Sequence, residues 1–112
     1  LNTVLWKKRK KMFKANIDRE NNELVLKLAG DLDVYSEEEF RDFIEDKLTN
    51  LDSDLVIDIK DLDYLDSTGL GMFMKIYKLN QEKGKKVRVV NPKENILKLF
   101  KITELTEIFE MV

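Results

Sequence analysis

Between Asp54 and Asn91 the chain places a helical stretch between two short apolar runs, and this constrains the fold more than any other feature. The run DLVIDI (Asp54 to Ile59) is followed by a loop with Leu62 and Leu65, a stretch of helical periodicity from Thr68 to about Lys83, Gly84 as a helix stop, and then KVRVVN. Two β-branched runs separated by a helix of this length cannot form a hairpin. They pair in parallel through a right-handed crossover. DLVIDI is mostly apolar, so it is expected to be a central strand buried on both faces.

The flanking sequence extends the pattern. FKANIDRENNELVLKLAGDLD reads as two strands joined at Asn21-Asn22, residues that tolerate the positive φ of a tight hairpin. Leu24, Leu26 and Leu28 share one face at period two, and Gly30 is expected to end the strand. In SEEEFRDFIEDKL, Ser36 and Glu39 have capping-box spacing, and Phe40, Phe43, Ile44 and Leu48 make one apolar helical face. Asn91, Pro92 and Glu94 read as a cap, a first-turn proline and an N3 acid for a third helix, with Ile96, Leu97 and Phe100 facing inward. The predicted order is ββαβαβα with an optional short C-terminal strand: an α/β fold with a mixed, mostly parallel sheet covered by helices.

Composition excludes much chemistry. The chain has 112 residues, with neither cysteine nor histidine. That removes disulfides, thiolates, the commonest general base and the commonest zinc ligand. The net charge of −2 hides an asymmetry. Residues 1–14 carry Lys7, Lys8, Arg9, Lys10, Lys11 and Lys14 without an acid, while the remaining 98 residues carry 14 bases and 22 acids. An acidic domain is a poor nucleic-acid partner. No stretch is long enough to span a membrane, and the N-terminal pattern is not that of a signal peptide, so a cytoplasmic protein is expected. Residues 1–11 read as a basic, disordered extension upstream of a natural start at Met12, with residues 12–112 as a single domain.

The segment DYLDSTGLGMF (Asp63 to Phe73) carries the candidate site. Ser67 is not in a G-x-S-x-G elbow and no histidine is available to activate it, so a hydrolase triad is excluded. The two-residue gap between Asp66 and Gly69, and the lack of a second half, exclude an aspartic-protease dyad. Asp61, Asp63 and Asp66 lack the glycine and glutamate spacing of a calcium loop, so no metal is expected. Asp31 and Asp33, at the end of a strand, resemble the carboxylate pair of haloacid-dehalogenase-type phosphatases, although such a domain needs more chain and further motifs. The structural alternative for Ser67 is a helix N-cap. Against that alone stand Gly69 and Gly71, which cost a helix about 1 kcal/mol each relative to alanine. They leave bare backbone for another surface to approach.

With these residues in view, the chain resembles the bacterial anti-sigma factor antagonists, the single-domain STAS proteins. YLDSTGLGMF is similar to the family's phosphorylation-site segment. LAGDLDVYSEEEF is similar to its other signature, and the NPKENILKLFKITELTEIF region also matches. The resemblance covers about residues 12–112 and neither motif departs from the pattern. It implies a protein that binds an anti-sigma factor, often a serine kinase, and so releases a sigma factor. Phosphorylation of Ser67 ends that binding until a PP2C-type phosphatase resets it. It implies a partner-binding set of Asp33, Asp66, Ser67, Thr68, Gly69, Leu70 and Gly71, with Thr68 a secondary acceptor, and no enzymatic activity or cofactor of its own. A STAS module of another regulatory or transport assembly, and the small phosphatase on Asp31 and Asp33, remain alternatives.

Overall fold

The computed structural model describes residues 11–112. Its elements are β1 (Lys14–Glu20), β2 (Glu23–Leu32), α1 (Glu37–Phe43) continued by a π-helical turn (Ile44–Leu48), β3 (Leu55–Leu65), α2 (Ser67–Glu82), β4 (Val87–Val90), α3 (Glu94–Ile102), a 3-10 turn (Leu105–Glu107) and β5 (Glu110–Met111). The five strands lie in sequence order in one sheet. Only β1–β2 is antiparallel; β2–β3, β3–β4 and β4–β5 are parallel. The α/β class, the mixed sheet and the short last strand are as expected.

One sheet face makes the core. Leu24, Leu26 and Leu28 of β2, Leu55, Ile57 and Ile59 of β3, and Val87 and Val89 of β4 join Phe40, Ile44 and Leu48 from the first helical stretch, Phe73 and Ile76 from α2, and Ile96 and Phe100 from α3. Phe73, Phe100 and Phe109 meet edge to face at 5.4–6.2 Å. On the opposite face Val25 and Val56 sit side by side. Both are buried outside that cluster, and Arg88, paired with Glu23 at 2.8 Å, lies alongside. β3 therefore lies under helices on one face, while on the other face the expected burial holds at Val56 and is lost at Asp58 and Lys60. It also runs six residues past Ile59, through the stretch expected to be a loop.

Several local readings change. Asn21 and Asn22 do have positive φ (51° and 67°) and make the tight turn. Gly30 does not end β2. It lies within the strand at φ +82°, beside a register shift, and a Cβ there would meet the Met12 carbonyl at 2.0 Å. The glycine is needed because the N-terminal segment crosses directly over it. The Ser36–Glu39 capping box does not form; Ser36 Oγ makes no cap bond to α1 and instead accepts from Asp33 N at 2.9 Å. Asn91 does not cap α3 either. It adopts φ 60° with its amide on Asp58, and the helix starts two residues later, after Lys93. Of the expected extension only Lys11 lies within the described residues. Its amide donates to Asp31 Oδ2 at 3.1 Å and its carbonyl accepts from Asp31 N at 3.2 Å.

Candidate functional site at the start of the second helix

β2 and β3 end together, with Asp31 opposite Tyr64 and Leu32 opposite Leu65. Their C-terminal ends present the Asp33–Ser36 loop and, through Asp66, the start of α2 at Ser67. In parallel sheets this edge is where functional groups collect, because loops there are held by rigid strands on both sides.

Asp66, not Ser67, caps α2. It has extended backbone geometry, and Oδ1 accepts from Gly69 N at 2.9 Å. Ser67 is thereby placed in the first helical turn with its side chain exposed. A phosphate at that position faces the positive end of the helix dipole. Thr68 is half-buried, and Gly71 is exposed with nothing within 4 Å of where its Cβ would be.

Gly69 has a different reason to be glycine. It is buried, and a Cβ would lie 2.3 Å from Leu65 Cδ1 and 2.8 Å from Leu32 O. The missing side chain lets the helix start pack onto the end of β2. Leu70 is also buried, in the core cluster. Gly69 and Leu70, both expected at a partner surface, thus face inward.

Asp33 is 7% exposed. Its Oδ1 accepts from Tyr35 N at 2.9 Å and Ser36 N at 3.2 Å, while Ser36 Oγ bonds back to Asp31 O and to Asp33. This carboxylate builds the loop beside Ser67 rather than presenting a charge to solvent. Asp31, its partner in the phosphatase reading, is half-buried and receives the Lys11 amide. The two carboxylates of the phosphatase reading thus stand in different settings, one half-buried beside the N-terminal segment and the other held by loop amides. Among the described residues no group of three or more histidines, cysteines or acids stands close enough to hold a metal.

One charged cluster went unnoticed in the sequence. Asp63, at the C-terminal end of β3, takes Lys93 from the segment before α3 and Lys11 from the N-terminal segment, and its carbonyl accepts from Asn95 at 3.2 Å. The hydrogen bond from Lys93 holds the Asp63 carboxyl below the usual carboxylate range; partial burial opposes this and the Lys11 charge reinforces it. The three residues are 52 and 30 positions apart in the chain, so only the fold could bring them together.

Residues 14–112 match the STAS domain family. The anti-sigma-B factor antagonist of Bacillus subtilis is 33% identical over 97 residues, which are 87% of this chain and 88% of that protein. The chain belongs to the STAS-domain anti-sigma factor antagonist family. The Staphylococcus aureus protein of the same name is 28% identical over 86 residues, 77% of this chain and 80% of its own. Among solved structures, the unphosphorylated form of the Bacillus anti-sigma factor antagonist SpoIIAA superposes with a TM-score of 0.71 at 20% identity, covering 90% of this chain and 88% of that one. Its phosphorylated form superposes at 0.65, with 90% and 91% covered. The family is a regulatory one, and no helix among the described residues is long and apolar enough to cross a membrane.

Proposed function

We propose that this STAS protein is a phosphorylation-controlled anti-sigma factor antagonist of the cytoplasm. Unphosphorylated, it binds an anti-sigma factor that is also a serine kinase, and a sigma factor is released. The kinase then phosphorylates Ser67, and a PP2C-type phosphatase removes the group. The chain itself is a binding protein and kinase substrate, not an enzyme; nucleotide, magnesium and base belong to the kinase. The observation that carries this reading is the exposed Ser67 in the first turn of a helix already capped by Asp66. The cap makes the serine hydroxyl dispensable to the helix and available as an acceptor. The names of the Bacillus and Staphylococcus relatives support the partner class, and the existence of a phosphorylated fold neighbour supports the switch.

The test is to incubate the protein with the purified anti-sigma factor of its own genome and ATP, and to map phosphosites by mass. Modification at Ser67, abolished in Ser67→Ala, is expected. Unmodified protein, or modification elsewhere that persists in Ser67→Ala, contradicts the reading.

A further inference from the structure

The sheet ends in two edges. β5 is two residues long, too short to template another strand, while β1 runs seven residues and pairs only with β2 among the described residues. A strand paired on one side leaves alternate N–H and C=O groups of its other side without a ladder partner. The core is also thinly covered here: Ala15 and Ile17 of β1 and Phe43 of α1 pack against the core cluster yet stay half-buried. Ala15 and Phe43 line, with Phe13, a groove of about 320 Å³ whose other walls are Glu39, Asp42 and Asp46.

Charged side chains commonly protect such an edge from pairing. On β1 their order instead favours one particular pairing. The register with β2 sorts the side chains. Ala15, Ile17 and Arg19 stand opposite Leu28, Leu26 and Leu24 and share the helix-covered face, whereas Lys14, Asn16, Asp18 and Glu20 share the other. A two-fold axis through Ile17, normal to the sheet, sets a second β1 antiparallel to the first. Lys14 then faces Glu20 of the second copy, Asn16 faces Asp18, Ala15 faces Arg19, and Ile17 faces Ile17. No like charges stand directly opposite, and each contact occurs twice, as an isologous interface requires. Arg19 of the second copy arrives beside Ala15, at the groove that Glu39, Asp42 and Asp46 surround. Arg19 and Lys14 are exposed and make no ion pair within the described residues, so both are available for these contacts.

We propose that two copies of this protein associate through β1, antiparallel about Ile17, with Arg19 of each copy at the acidic groove of the other. The product is a continuous sheet of ten strands, five from each copy, with both helical layers on one face. The axis reverses strand direction between the copies. The two Ser67 edges therefore point to opposite ends of the extended sheet, each two strands in from the join. The proposal stands independently of the reading of Ser67.

Sedimentation velocity of the full chain at rising concentration, in low and high salt, tests this. It compares wild type with Lys14→Glu, Glu20→Lys, Arg19→Glu and an equimolar mixture of the first two variants, with circular dichroism melts of each. The join is small, so a reversible dimer that builds up over the micromolar range and weakens in salt is expected. Each single reversal acts twice across the axis and should weaken the dimer about tenfold or more. Mixing Lys14→Glu with Glu20→Lys sets unlike charges opposite again and should restore it, which a merely structural effect of either change would not do. Glu20→Lys also loses the 2.5 Å pair with Lys27, so Arg19→Glu is the independent probe should that variant melt early. A wild type that stays monomeric at every concentration overturns the proposal. A dimer that Arg19→Glu and Lys14→Glu leave unchanged overturns it too, as does weakening by both folded single variants without recovery on mixing.

Discussion

The Asp66 carboxylate accepts the Gly69 amide at 2.9 Å, across the first turn of α2. That single bond divides the labour in the Asp-Ser-Thr-Gly run. The aspartate satisfies the helix start, the buried glycine lets it dock onto Leu32, and Ser67 between them is exposed. Removing the cap in Asp66→Ala leaves the Gly69 amide unpaired, an effect of about 1 kcal/mol for a typical N-cap.

The two glycines of the run should respond in opposite directions. Alanine at 69 forces a Cβ against the Leu32 carbonyl and the Leu65 side chain. Overpacking of this kind costs about 1–3 kcal/mol. Alanine at 71 meets nothing within 4 Å in a helical position, so it should stabilise by about 0.5–1 kcal/mol. Urea melts of Gly69→Ala and Gly71→Ala, with wild type between them, are the check. Equal effects would contradict the assignment of different roles.

The β–α–β core was legible in sequence because Leu24, Leu26 and Leu28, and the run from Leu55 to Ile57, carry their periodicity openly. The candidate serine was legible too, through its motif. What stayed hidden depends on through-space partners. Gly69 looked like a bare contact point because nothing in the sequence says that Leu32 and Leu65 crowd it. Asp33 looked like a presented charge because its donors are backbone amides, which leave no trace in residue identity. Competing bonds changed the caps: Ser36 keeps the N-cap position of α1 but turns its hydroxyl to the Asp33 amide, while Asn91 turns to Asp58 and the start of α3 shifts to Glu94.

Asp33 should matter through loop shape. Asp33→Asn keeps an oxygen for the Tyr35 and Ser36 amides, so it should fold nearly as well as wild type and still bind. Asp33→Ala strands buried donors and should lose about 1–3 kcal/mol of stability. Thermal melts and partner affinity of the two variants distinguish the roles. An Asn variant with native melting but abolished binding would assign the negative charge itself to recognition.

The lysine cluster on Asp63 predicts an acid-side signature. The Asp63 pKa is depressed in the folded state, so its contribution is present above the unfolded carboxylate value, about pH 4. It is lost as pH falls through the lower folded value. The wild type should exceed Asp63→Asn in stability at neutral pH, by no more than about 1 kcal/mol for a pair this near the surface. The difference should shrink below about pH 4. Denaturation at pH 7 and pH 3 measures it; a gap that widens in acid would contradict the pairing.

The central claim is that charge at Ser67 is the switch. Phosphate adds about −1.5 to −2 charges beside Asp66, which the helix dipole offsets by up to about 1 kcal/mol at an exposed end. The free protein should therefore stay folded. A partner seated on this edge must desolvate that charge, at several kcal/mol, and about 4 kcal/mol is roughly a thousandfold in affinity. The most direct measurement is a calorimetric titration of the anti-sigma factor into wild type, Ser67→Ala and Ser67→Asp. The account predicts that the Ala variant binds within about tenfold of wild type, since one neutral hydrogen bond contributes only about 0.5–1.5 kcal/mol. It predicts that the Asp variant stays folded and binds far more weakly. An Asp variant that binds as tightly as wild type would contradict it.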